Sequence, residues 1–344
     1  MKKQIRVFLV GDYKALTGPS SVNKHLLTSS MNKLHRLKAQ NKIIKGVEYI
    51  LKLIFCDVVV FSGFTTHAEW GIKLLKALHK KSIYLMHGCA SYENEINQLR
   101  LSSKMIKKEG CILDKVDLVL GVSEQYMEWV KERYPQYDKK IYYLNNGVNS
   151  DECEHDFGST QNIARIYDVA VAGGDRKQKN NIKVSEAVEL LNREMNRSFI
   201  LNVYGRQYYE DGCFSQFSST KYKGMLPYEQ FIQELDKTKL FIINSTVESF
   251  GLSVVDALLS GCSVLLTKNT GICSVLTLEE TDIIYDNENA TEIANKIKFL
   301  LENPNNKRIL DSIDFEHYTW AKVGERLYAI CEALYYGKDY TMIK

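Results

Sequence analysis

Residues 244–265 read NSTVESFGLSVVDALLSGCSVL, and their spacing decides the fold class. The overlapping run LFIINS (240–245) is apolar and rich in β-branched residues, as a buried strand is. LSVVDALLSG (252–261) carries helical periodicity and stops at a Gly. The stretch is therefore a strand-to-helix turn, with Glu248 just before it, Gly251 within it and Asp256 about one turn into the helix. At such a turn the N–H groups of Phe250, Gly251 and Leu252 have no intrahelical acceptor, and the helix dipole favours an anion. Gly251 lets a ligand approach the backbone closely. A phosphate-binding turn flanked by carboxylates that can hold vicinal hydroxyls points to a nucleotide sugar. The competing structural reading is a buried turn with a capping carboxylate.

The same alternation extends along the chain. Strand candidates are 5–11, 57–63, 82–88, 117–123 and 141–148, then 168–174, 199–205, 239–245, 262–268 and 282–287, separated by helical stretches. Two such series predict two doubly wound Rossmann-like domains, over residues 1–150 and 165–315, joined by the polar linker NSDECEHDFGSTQNIA (149–164). A helical, aromatic tail covers 316–344.

With 344 residues, 45% apolar and 25% charged, the chain has the composition of a soluble two-domain protein. No apolar run is long enough to span a bilayer, and the start MKKQIRVFLVGDY reads as a first strand, not a signal peptide. Eight scattered cysteines with no C-x-x-C predict reduced thiols, a cytoplasmic location and no metal site.

The net charge of +3 hides an asymmetry. Residues 1–150 hold 24 Lys and Arg against 13 Asp and Glu, a net +11, which leaves 21 against 29, a net −8, for the remainder. Much of the excess lies in KLHRLKAQNKIIKGVEYILKLI (33–54), where Lys33, Arg36, Lys38, Lys42, Lys45 and Lys52 accompany apolar residues at helical spacing. Such a stretch is either a solvated helix face or a surface for an anionic membrane. Nucleic acid is not expected as a partner, since no helix-turn-helix, zinc-finger or RNP pattern is present.

The segment ESFGLSVVDALLSGCSV (248–264) resembles the E-x7-E region of family-4 glycosyltransferases with the GT-B fold, E-x-F-G-[LI]-x-x-x-E-A-x-A-x-G-x-P-V. It departs at Asp256, Cys262 and Ser263, where the family has Glu, a small residue and Pro. The resemblance implies two Rossmann-like domains facing a cleft, the first for the acceptor and the second for the donor, with 316–344 returning to the first. It also implies a retaining, metal-independent transferase with no cofactor beyond its nucleotide-sugar co-substrate. Glu248 then orients donor-sugar hydroxyls and Asp256 holds the ribose.

Other strand ends fit the same pattern, because open α/β sheets bind ligands beyond the carboxyl ends of their strands. GDYKALTGPSSVNKHLL (11–27) resembles the family's Gly-rich loop at Gly18, with a helix expected from about Ser21; an N-capped turn is the plain alternative. His87, in the H-G after 82–86, matches the family His beside the transferred sugar, followed by Glu93. Asp175-Arg176-Lys177-Gln178-Lys179 resembles the family's G-R-x-x-x-x-K-G. Lys179 matches the Lys, and Arg176 lies two residues after the expected Arg, so this pair is assigned to the donor diphosphate. VYGRQYY (203–209) and the strand-like YKGMLPYEQF (222–231) make Tyr204, Gly205 and Met225 candidates for the nucleobase end. The expected acceptor is a glycan, lipid-linked, in surface polysaccharide synthesis. A nucleotide-sugar epimerase or hydrolase and a non-catalytic sugar-nucleotide-binding protein are the competing functions.

Overall fold

The computed structural model describes residues 3–15, 17–30, 33–65, 67–98, 103–148, 164–209 and 212–343. Contacts divide the chain into two units, Met1–Val148 with Phe315–Lys344, and Asn149–Asp314. Apart from Ala164, the expected linker lies outside the described residues.

In chain order the first unit has β1 (Val7–Val10), α1 (Gly18–Ser29), β2 (Leu34–His35), α2 (Lys42–Phe55), β3 (Val58–Ser62), α3 (Ala68–Ala77), β4 (Lys81–Met86), α4 (Ala90–Asn97), α5 (Ser103–Lys115), β5 (Leu118–Gly121), α6 (Glu124–Arg133) and β6 (Ile141–Tyr143). The strands form one parallel sheet in the order β2-β1-β3-β4-β5-β6. The second unit has β7 (Tyr167–Ala172), α7 (Asn181–Met195), β8 (Leu201–Tyr204), β9 (Thr220–Gly224), α8 (Tyr228–Asp236), β10 (Thr238–Ile243), α9 (Leu252–Leu259), β11 (Ser263–Thr267), β12 (Ile283–Ile284), α10 (Ala290–Glu302) and α11 (Asn306–Leu310). Its sheet is also parallel, in the order β12-β11-β10-β7-β8-β9. The last helix, α12 (Trp320–Tyr335), belongs to the first unit, where Trp320 stacks on His25 of α1 at 4.9 Å.

The near-continuous apolar runs of the central strands follow from burial on both faces: β3 is buried throughout, and β7, β8 and β10 pack with α7 and α10 in one core. An Asp at or next to a strand start recurs in the sequence, and its work is visible. Asp57 accepts from the Arg6 N–H at 2.8 Å, Asp117 from that of Ser82 at 2.8 Å, and Asp168 from that of Ile200 at 3.1 Å. Each ties the entry of one strand to its neighbour.

In each sheet the strand order reverses at one place, where the connections diverge and leave a crevice. The reversal lies between β1 and β3 in the first sheet and between β7 and β10 in the second.

Four sequence expectations are corrected. Residues 33–54 are not one helical stretch: β2 and a connection precede α2, and only Lys42, Lys45 and Lys52 of the six cations lie on the helix. The helix after β1 starts at Gly18 because Thr17 caps it, accepting from Ser20 N–H, with Pro19 in the first turn. The strand-like reading of 222–231 holds only to Gly224, the end of edge strand β9, and Pro227 N-caps α8. Tyr204 does not flank a base: its ring is buried against Phe231 and its hydroxyl donates to Glu234 at 3.0 Å.

Candidate active site

The crevice of the second sheet is built from the segments after β7 and β10. After β10 the chain runs without regular structure through Asn244–Gly251 and is strapped on both sides. Gln178 Nε2 donates to Val247 O at 2.8 Å, Thr246 N–H to Gln178 O at 2.9 Å, and Gly271 N–H to Glu248 O at 2.9 Å. The straps fix the backbone of Glu248, whose carboxylate accepts from the Lys179 ammonium and, at 3.3 Å, from Ser245 Oγ. Burial would push the Glu248 carboxyl up. The Lys179 charge and hydrogen bond, with Arg176 and Ser245, outweigh it and hold the group below the ordinary carboxylate value. Glu248 therefore stays ionised and Lys179 is aimed by it.

The approach of Lys179 requires Gly173, at φ +100°, since a Cβ there would lie 2.7 Å from Lys179 Cγ. Gly205 is needed in the same place, because its Cβ would meet the Gly174 nitrogen at 2.4 Å. Arg176 is half-buried, its Nε donating to Gly173 O at 3.4 Å and its guanidinium 5.8 Å from the Tyr208 ring. Gly251 N-caps α9 at φ +98°, a conformation that disfavours any side chain. Among the described residues the N–H groups of Gly251 and Leu252 have no protein partner. The Phe250 side chain is buried in the core, so only its backbone is available there.

Lys179, Arg176, Glu248 and Gly251 thus come together, with Gly205 beside the Gly173–Gly174 turn. Asp256 is half-exposed on α9 and accepts from the Tyr228 hydroxyl at 2.9 Å. Met225 is exposed after β9. Sequence reasoning missed Asp175. It is buried and accepts from Tyr208 N–H at 2.7 Å and Tyr209 N–H at 3.0 Å, which orders the segment past Gly205. A lone acid following Gly-Gly at a strand end was the available signal. Tyr228 was missed because its stretch reads as a strand.

The first unit's crevice holds His87, and its hydrogen-bonding network is uncharged. Ser62 Oγ, at the end of β3, lies 2.7 Å from His87 Nε2 and 2.5 Å from Asn23 Oδ1, while Asn23 Nδ2 donates to Asp12 O at 2.7 Å. Only the amide nitrogen can donate to the Asp12 carbonyl, so Asn23 Oδ1 faces Ser62 and takes its one hydroxyl proton. Ser62 Oγ is left to accept, which makes His87 Nε2 the N–H donor and leaves Nδ1 as an acceptor; the tautomer follows from the network. Burial pushes the His87 pKa down to about 4, so the ring is neutral near pH 7. The Glu93 carboxylate folds over Gly88, 2.3 Å from where a Cβ would stand. Gly18, by contrast, has open space where its Cβ would be and no left-handed φ.

Residues 164–312 match the family described as glycosyl transferases group 1. Among solved structures the chain is similar to HepE of Anabaena (11% identity, TM-score 0.65, covering 96% of this chain and 100% of that one). It is also similar to sucrose-phosphate synthase of Thermosynechococcus elongatus (14%, 0.67, 97% and 100%) and a glycosyltransferase of Rickettsia africae (14%, 0.65, 97% and 99%). Compared by sequence with curated proteins, the chain matches none. The chain therefore has the GT-B fold, and residues 164–312 match the glycosyl transferases group 1 domain.

Proposed function

We propose that this chain transfers a hexose from a nucleoside-diphosphate sugar to a lipid-linked glycan acceptor, with retention at the anomeric carbon, in surface polysaccharide synthesis at the cytoplasmic face of a membrane. The observation that carries the reading is the half-buried Lys179–Glu248 pair, with Arg176 alongside, ahead of α9. A diphosphate entering the crevice competes for Lys179 and meets the Gly251 and Leu252 N–H groups, and the freed Glu248 carboxylate takes a donor-sugar hydroxyl. Charge developing on the departing diphosphate is then met by fixed cations and helix-start donors, so in this reading the leaving group needs no metal. Asp256 takes the ribose, and Gly205 and Met225 border the base.

His87 offers a sugar hydroxyl a neutral hydrogen-bonding group. The structures of HepE with UDP and UDP-glucose support a nucleoside-diphosphate hexose donor. The basic first unit supports an acceptor at an anionic membrane.

The test is incubation with a panel of nucleotide sugars, with and without glycan acceptors. Acceptor-dependent nucleotide release, with the product anomer read by NMR, is expected. A new nucleotide sugar, or release without an acceptor, would establish an epimerase or a hydrolase. Binding with no turnover would establish a non-catalytic sugar-nucleotide-binding protein.

A further inference from the structure

A surface helix ordinarily turns its apolar stripe inward. α2 does the opposite. Ile43, Val47, Ile50 and Ile54 follow one stripe at i, i+4, i+7 and i+11, and Ile44, Leu51 and Phe55 form the next; every one is between 41% and 79% exposed. At about 100° per residue the two stripes fill a continuous arc of roughly 140°. The helix is fastened by its other side. Leu53 is fully buried, the Tyr49 hydroxyl donates to His67 O at 3.3 Å, and the Glu48 carboxylate accepts from Lys38 N–H at 3.0 Å and Ala39 N–H at 2.9 Å. Lys80 Nζ donates to the carbonyl oxygens of Ile54 and Cys56. Trp70 of α3, half exposed, lies 6.3 Å from the Tyr49 ring and widens the face.

An apolar surface of this continuity on a water-soluble unit marks a contact site. We propose that the outward face of α2, with Trp70, inserts into the surface of an anionic bilayer.

Charge selects that occupant. Lys38, Lys42 and Lys45 are exposed near the start of the helix, and the one acid of the segment, Glu48, is occupied by two backbone donors and Lys52 at 3.6 Å. A second copy docked isologously would set these cations against their own equivalents, whereas anionic headgroups would neutralise them. The 14-residue helix, about 21 Å long, lies flat with its apolar face among the upper acyl chains and its lysines at the headgroups. Trp70 suits the same depth, having an apolar ring and one polar N–H. Charge draws the unit to the surface and insertion holds it there.

The inference deepens the proposed lipid-linked acceptor and is tested apart from it. Full-length protein is sedimented with vesicles of phosphatidylglycerol and phosphatidylcholine, or phosphatidylcholine alone, at low and high salt. Wild type is compared with a Val47→Ser, Ile50→Ser, Ile54→Ser variant and a Lys38→Gln, Lys42→Gln, Lys45→Gln variant. Wild type is expected to bind the anionic vesicles, keep part of that binding at high salt, and lose Trp70 emission to brominated lipid, with Trp70→Phe as the control. The serine variant should bind at least about tenfold more weakly at either salt, and the glutamine variant should lose mainly the salt-sensitive part.

Equal binding by the serine variant, or a wild type that ignores anionic vesicles, overturns the proposal. So does a concentration-dependent dimer in sedimentation equilibrium that the serine substitutions abolish. Transfer to a water-soluble acceptor without vesicles should be unchanged in the serine variant, which also reports that it is folded. Absence of such transfer in the wild type would count against the glycosyltransfer reading alone.

Discussion

Both sheets place their notable side chains where the strand order reverses, but the two crevices are filled with different chemistry. Between β7 and β10 stand an ammonium, a guanidinium and an ionised carboxylate. Between β1 and β3 stand an amide, a hydroxyl and a neutral imidazole. One topological device therefore carries two kinds of chemistry. Fixed charges suit a ligand that brings its own charge and gains more on leaving, as a diphosphate does. An uncharged relay suits hydroxyl-bearing sugars, for which direction matters more than field strength. The contrast also sets the cost of removing a residue, since loss of one member of a half-buried ion pair strands its partner.

The largest effect is expected at Lys179. If Lys179 meets the leaving diphosphate as proposed, Lys179→Ala removes that charge, and kcat should fall at least about 100-fold, a few kcal/mol of charge stabilisation. Unpaired Glu248 should also lose its depressed pKa and with it some stability, which Glu248→Gln added to Lys179→Ala would partly restore. Steady-state kinetics and urea unfolding of both variants are the measurements. Near-wild-type turnover in folded Lys179→Ala would break the contrast drawn above.

The neutral crevice has its own signature in pH. The unfolded His87 titrates near 6.5 and the folded one at about 4. Between these values the unfolded chain binds the extra proton, so this contribution to stability is intact above about 6.5, shrinks as pH falls and is gone below about 4. The loss from about pH 7 to about pH 5 is on the order of 2 kcal/mol. Urea titrations should show that slope in wild type and a shallower one in His87→Gln. Equal slopes would mean that His87 does not differ from its unfolded state.

Legibility in the sequence also divided along this contrast. Glu248, Gly251 and Lys179 could be read because a strand, a turn and a helix start follow one another within a short stretch. His87 could be singled out at its strand end, but Asn23 and Ser62 lie in separate segments and meet it only because β1, β3 and β4 are neighbours, which no local spacing encodes. The amphipathic period of α2 was visible, but a period fixes only the width of the apolar stripe. Which way it faces is decided by Tyr49, Glu48, Leu53 and Lys80. Tyr204 looked available because it ends a strand, yet an edge helix, α8, covers it.

A smaller effect tests the relay directly. Ser62→Ala removes the acceptor that holds His87 as the Nε2–H tautomer, and Asn23→Leu lets the Ser62 hydroxyl turn round. Each should lower kcat/KM about tenfold, the scale of one oriented hydrogen bond. A structural disturbance alone could do the same, so the deciding readout is the ring 15N spectrum of His87. Wild type should show protonation at Nε2 and either variant a mixture. An unchanged spectrum would show that the relay does not set the tautomer.

The smallest effect concerns Asp256, which joins α8 to α9 through Tyr228. If Asp256 holds the donor ribose, the Tyr228 hydroxyl and the ribose share its carboxylate, and Tyr228→Phe leaves one oxygen freer. Ribonucleotide affinity should then hold or tighten a few-fold, while Asp256→Ala weakens it about fivefold, about 1 kcal/mol, the net scale of one hydrogen bond. A 2′,3′-dideoxynucleotide should bind both variants and the wild type alike. Were Asp256 a brace between the helices, both substitutions would lower stability by about 1 kcal/mol and the ribose preference would not change. Calorimetry with the two nucleotides, beside urea unfolding of the two variants, separates a ligand-facing carboxylate from one that serves the fold.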